Sequence, residues 1–202
     1  MIRFFDIFFS LIAIIILSPL YIFISFLIIL FYSKPVFFVQ PRVTLNEKLF
    51  DFLKFRSMKI FKNVNQGDKK DYLTLELEEL KKIRNQYKTT SLNDSRVTKL
   101  GSFLRKTSLD EIPQFFSVLK GDMSLVGPRP DPPIQRADYD YEVWKKRCSV
   151  KSGITGLAQI SSRNTSNLKT RVDFDMYWVD NKSILLYFKI LLKTPFSLLS
   201  KY

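Results

Sequence analysis

Between Ile7 and Tyr32 the chain is almost wholly apolar, interrupted only by Ser10, Ser18, Pro19 and Ser25. Wound as one helix, this run is roughly 39 Å long, enough to cross a bilayer. It exceeds the apolar core of a signal peptide, and no small-residue cleavage site follows it. Pro19 has no N–H and frees the carbonyl of Ile15, to which the Ser18 hydroxyl can donate, so a bend here is tolerable in lipid. Two arrangements are open. Either a kinked helix spans the membrane, or residues 7–17 and 20–32 each penetrate about half the hydrocarbon thickness and return. Arg3 before the run and Lys34 and Arg42 after it carry the same sign, which argues for keeping both flanks cytoplasmic.

The 202 residues suffice for one domain beyond this anchor. The net charge of +13 lies wholly after residue 33, because Arg3 and Asp6 cancel before it. An anionic partner is implied: a membrane surface, a phosphorylated substrate or nucleic acid. No nucleic-acid motif is present. The lone cysteine, Cys148, excludes an intramolecular disulfide and Cys-rich zinc sites, and reads as a buried or bystander thiol in a reducing compartment. The chain has no histidine, which removes the usual general base and the Ser-His and Cys-His nucleophile systems. Any catalysis must use carboxylates, Lys, Arg, Tyr or a hard metal ion.

Residues 107–130 carry the densest pattern. Ser108-x-x-Glu111 reads as a capping box, although Pro113 fits a first turn better if the helix begins nearer Asp110. Either register places Asp110 and Glu111 at the positive end of a helix dipole, where they serve as ordinary caps or as chemistry. Gly121 ends the helix, and Gly127-Pro128-Arg129-Pro130 presents an arginine on a stiff loop. Upstream, residues 36–58 alternate as a half-buried strand that includes Lys54 and Arg56. Residues 63–70 form a polar linker, and residues 72–88 a surface helix with Glu78 and Lys82 at i, i+4. Arg105 precedes Asp110 by five residues. Residues 139–150 read as an amphipathic helix anchored by Tyr141, Val143 and Trp144, followed by Gly153 and Gly156, which allow close approach to a ligand. From Ile184 onward, apolar residues interleave with Lys189, Lys193 and Lys201, suiting either a basic helix on a membrane surface or one packed on the core.

These stretches together resemble the bacterial sugar transferases, the monotopic phosphoglycosyl transferases that start glycan assembly on polyprenyl phosphate. The resemblance extends from Asp6 to about Thr194 and is weakest between Asn63 and Asn93, where the family varies and sugar selectivity is sought. Its motifs are Lys54-Phe55-Arg56-Ser57-Met58, Asp94-Ser95-Arg96-Val97-Thr98, the 107–130 block and Gly153-Ile154-Thr155-Gly156-Leu157-Ala158-Gln159. Departures are Thr44 for a glycine, Lys151-Ser152 for Arg-Pro, and Tyr187 for a frequent aspartate. The resemblance implies a mostly helical α+β fold. A re-entrant membrane helix-break-helix (1–33) would precede a small cytoplasmic catalytic domain with surface amphipathic helices (34–202). The larger relatives carry further membrane helices before this region, and the chain is expected to be the minimal unit.

The implied reaction moves a sugar-1-phosphate from a UDP-sugar to undecaprenyl phosphate, releasing UMP, at the cytoplasmic face of a bacterial inner membrane. Asp110 maps to the nucleophile and Glu111 to its partner, either of Mg2+ or of the acceptor's residual proton; both are the expected Mg2+ ligands. Arg129 foremost, then Arg105, Arg56, Lys54 and Arg163, are the expected phosphate-binding cations. Gly153, Thr155, Gly156, Gln159 and Asp175 are the expected nucleotide-sugar loop. A homodimer stays open. The rival reading is a non-catalytic, membrane-tethered basic module.

Overall fold

The computed structural model describes residues 1–59, 72–86, 94–161 and 168–199. It is mostly helical α+β, as expected. The long helix α1 (Ile2–Tyr32) is followed by an antiparallel hairpin, β1 (Phe37–Val43) and β2 (Leu49–Phe55), with Phe37 opposite Phe55. Then come α2 (Leu77–Gln86), α3 (Lys99–Thr107) and α4 (Gln114–Lys120). The short parallel pair β3 (Ser124–Val126) and β4 (Gly153–Thr155) flanks α5 (Tyr141–Arg147). The last described elements are α6 (Leu157–Ser161), α7 (Leu168–Asn181) and α8 (Ile184–Leu199). The expected linker at 63–70 and the position of Arg163 lie outside the described residues.

Helix α1 runs through Pro19 without the expected break, because the Ser18 hydroxyl donates to the Ile15 carbonyl at 2.8 Å and satisfies the acceptor that proline orphans. Its two ends hold the same body. At the N-terminal end Arg3 donates to the carbonyls of Val118 (2.5 Å) and Leu119 (2.8 Å) in the last turn of α4. Asp6, 2% exposed, accepts from the Ser124 hydroxyl, the Leu125 amide and the Tyr187 hydroxyl at 2.9–3.0 Å. Tyr187 thus gives Asp6 a donor where the family's frequent aspartate would give it a like charge. At the other end Ile24 and Ile28 are buried with Phe55, Leu104 and Ile112, each isoleucine contributing about 1.5–3 kcal/mol. Between these ends Leu11, Ile12, Ile15 and Ile16 are exposed.

Strand β2 buries Phe50 and Phe52, and the period of two carries the same inward face to Lys54, whose ammonium lies 5.1 Å from the Phe52 ring centre. A cation is therefore built into a core-facing register. Helix α2 begins five residues later than the leucine spacing suggested, Glu78 pairs with Lys81 at 3.0 Å, and Arg84 forks onto Asp138. In α5, Trp144 is fully buried but Tyr141, at the first helical position, is 50% exposed with Lys145 over its ring, so it is no core anchor. Cys148 is buried, which pushes its thiol up to about 12. Helix α8 divides its faces: Tyr187 and Ile190 are buried in the main core, while Leu185, Leu192 and Phe196 are exposed.

Two departures from the family pattern touch each other. The Thr44 hydroxyl donates to the Asp122 carbonyl at 2.8 Å and receives the Ser152 amide at 3.2 Å, with the Ser152 hydroxyl 3.1 Å away. A proline at 152 would have no amide to donate. The turn forms without glycine at 44 because Asn46 and Glu47 take the positive φ angles instead. Thr44→Gly and Ser152→Pro are each expected to cost about 1 kcal/mol, and the double variant less than their sum. Urea unfolding of the three variants checks this; strictly additive losses would mean that the contact does not couple the sites.

Candidate active site

The expected capping box does not form. Ser108 adopts the left-handed conformation (φ 60°) that closes α3, and its side chain makes no cap bond. Residues Leu109–Glu111 make one 3-10 turn, Pro113 takes the N-cap position, and α4 starts only at Gln114. Asp110 and Glu111 thus precede α4, and cations face their charge. Gly121, with φ 99°, ends α4 as expected.

Glu111 Oε1 lies 2.6 Å from both Lys54 Nζ and Arg129 Nη2, while its Oε2 has Arg129 Nη1 at 3.4 Å. Burial works against its charge, but Arg129 and Lys54 outweigh burial and hold the carboxyl well below the ordinary range. Asp110 is 5% exposed and has Lys54 at 3.8 Å, too far for a hydrogen bond. Burial raises its pKa, with Lys54 partly opposing. The pair is therefore divided into one carboxylate bonded directly to two cations and one buried carboxylate whose ion-pair partner Lys54 stands 3.8 Å away. Lys54 itself is lowered by burial.

The other expected cations are placed differently. Arg105 donates from Nε to the Ser57 hydroxyl at 2.8 Å, and its charge still favours ionised Asp110. Arg56 donates to the carbonyls of Tyr32 and Ser33, tying β2 to the end of α1. Gly153 and Gly156 approach the arginine loop rather than open space: a Cβ on Gly153 would meet the Gly127 nitrogen at 2.1 Å, and one on Gly156 the Gly127 carbonyl oxygen at 2.3 Å. Thr155 accepts from the Gly127 amide at 2.9 Å through its carbonyl, and its hydroxyl lies 2.9 Å from that of Thr194. Gln159 sits in α6, its Oε1 against Gly156. Asp175, 2% exposed, accepts from Arg147 Nε at 2.9 Å.

Arg147, Asp131, Arg171 and Tyr139 were not read as site residues, and Arg42 was read only as a charge flanking the apolar run. Arg147 bridges Asp131 (3.2 Å) and Asp175 (2.9 Å), and Arg171 also reaches Asp131 at 2.9 Å. The Tyr139 hydroxyl donates to Asp131 Oδ2 at 2.5 Å. Removing one partner from such a buried pair costs about 3–5 kcal/mol. The available signal was spacing: Arg147 is three residues beyond Trp144, on the same inward face of α5, where a charge needs partners.

Among the described residues no group of three or more His, Cys, Asp or Glu could hold a metal. Asp110 and the less engaged Oε2 of Glu111 nevertheless offer hard oxygens, and Mg2+ commonly takes one or two carboxylates and completes its shell with phosphates and water.

Known proteins are similar over nearly the whole chain. The family described as bacterial sugar transferase matches residues 1–201. The undecaprenyl-phosphate galactose phosphotransferase of Salmonella typhimurium is 40% identical over 201 residues, covering 95% of this chain and 39% of that protein. The UDP-glucose:undecaprenyl-phosphate glucose-1-phosphate transferase of Escherichia coli is 35% identical, covering 95% and 38%. The exopolysaccharide production protein ExoY of Sinorhizobium fredii is 36% identical, covering 95% and 82%. The galactosyl transferase CpsE of Streptococcus agalactiae is 42% identical, but the match covers only 34% of it, so the chain spans about a third of several relatives. The chain belongs to the bacterial sugar transferase family.

Proposed function

We propose that this chain transfers a sugar-1-phosphate from a UDP-sugar to undecaprenyl or a related polyprenyl phosphate, as a first membrane step of bacterial glycoconjugate synthesis. The observation that carries the reading is the division of the carboxylate pair, with Glu111 neutralised by Lys54 and Arg129 and Asp110 buried beside them. An Asp110 oxygen attacks the sugar-bearing phosphorus. The bond from that phosphorus to the bridging oxygen breaks, and UMP leaves with the electron pair. An oxygen of the acceptor phosphate then attacks the same phosphorus, and the Asp110 carboxylate departs unchanged. Both leaving groups depart as anions, and the acceptor, with a second pKa of about 6, is largely ionised, so no histidine is needed. Arg129 and Lys54 are already gathered where the diphosphate charge must be met. When bound, Mg2+ held by Asp110 and Glu111 supplies further neutralisation of the phosphate oxygens. Relatives named as undecaprenyl-phosphate galactose or glucose transferases support the acceptor and donor classes. Mixing the full chain in detergent with Mg2+, polyprenyl phosphate and a panel of UDP-sugars is expected to release UMP with one sugar preferred. Absence of UMP with every donor would refute the reading and favour a non-catalytic module, which assigns no role to the Asp110 cluster.

The attachment of α1 supports an anchor whose two ends stay on one side of the membrane. Arg3 and Asp6 at one end and Tyr32 at the other bond to the same folded body, and exposed apolar residues run along the helix from Phe4 to Phe31. A spanning helix would carry one end to the far side. Single cysteines at Arg3 and Lys34, in a Cys148-free background, should both resist an impermeant thiol reagent in intact cells. Labelling at position 3 alone would establish a spanning helix.

A further inference from the structure

We propose that Arg147 is a positioning residue that presets Arg129 for the donor diphosphate by fixing the backbone beneath it; this rests on the phosphosugar-transfer reading. Four consecutive carbonyls of the arginine loop are engaged. Pro128 accepts from the Gly153 amide at 2.8 Å, Arg129 from Arg147 Nη2, Pro130 from Arg42 Nη1 at 3.0 Å, and Asp131 from the Val43 amide at 3.0 Å. Pro128 and Pro130 have no N–H, so carbonyl contacts carry the fixing of this segment. Two of the four contacts are side chains, Arg147 on Arg129 and Arg42 on Pro130, and the Arg147 side chain is 4% exposed.

The geometry of Arg147 uses the whole guanidinium. Nε serves Asp175, Nη1 serves Asp131, and Nη2 serves the Arg129 carbonyl. Asp131 lies two residues beyond Arg129 and is held also by Arg171 and Tyr139. The planar fork therefore links α5, α7 and the loop, while the Arg129 side chain, 38% exposed, points the other way onto Glu111. A lysine can carry the charge but cannot serve three acceptors in one plane. Misplacement of a catalytic group by about 1 Å costs on the order of 10²-fold in rate.

The test is a double-mutant cycle of UMP release by the full chain. Arg147→Lys is expected to slow turnover about 10- to 100-fold, and to slow an Arg129→Lys enzyme by less than about threefold, because the group it positions is already altered. Asp175→Asn, which keeps an oxygen for Arg147 Nε, should give a smaller loss with the same non-additivity, and it decides the matter if Arg147→Lys does not fold. Thermal unfolding of each variant runs alongside. Should wild type turn over while the losses multiply independently, Arg147 contributes stability alone and the proposal falls. Should wild type release no UMP from any donor, the transfer reading fails and takes the proposal with it.

Discussion

Asp110→Asn is expected to lower turnover by about 10⁴-fold or more while leaving the fold intact. The amide has nearly the shape of the carboxylate but no anionic oxygen to attack phosphorus. Because Asp110 is buried and its one ion-pair contact among the described residues is at 3.8 Å, neutralising it removes little structural bonding. Stability should therefore hold or rise slightly, since burial disfavours the charge that the substitution removes. Circular dichroism and UMP release on the same preparation check both halves. Substantial activity in the asparagine variant would mean that another group attacks.

Arg129→Ala is expected to cut turnover by about 10²–10³-fold, the usual loss on removing one preorganised donor from a developing charge. Its guanidinium meets Glu111 at 2.6 Å, and its side chain is 38% exposed. Lysine should restore only part of the activity, lacking the planar fork for two phosphate oxygens. Steady-state rates at saturating donor check this; near wild-type turnover in the alanine variant would confine Arg129 to a structural role.

Much of this site was legible because its signals are local. The apolar run, the Ser18 hydroxyl beside Pro19, the glycine that ends α4 and the Asp110-Glu111 pair each depend on neighbours in sequence. The register of that pair was not legible. A left-handed serine closing one helix and a capping serine opening the next have the same letter, and Ser108 takes the first part. Contacts between distant residues were equally invisible. Asp6 meets Tyr187 across 181 positions, Thr44 meets Ser152 across 108, and Arg147 reaches Asp175 across 28. The glycines permit close approach to the Gly127 backbone, a partner that only the folded chain reveals.

The reading that Asp110 carries the phosphosugar covalently is tested most directly by the intact mass of the full chain after incubation with its preferred UDP-sugar and Mg2+ and no lipid. The account predicts UMP in an amount limited by the enzyme, a mass increase of one phosphosugar localised to Asp110, and loss of that mass on hydroxylamine treatment, as an acyl phosphate requires. UMP that appears only after polyprenyl phosphate is added, with no adduct at Asp110, would contradict it and establish direct transfer between the two bound substrates.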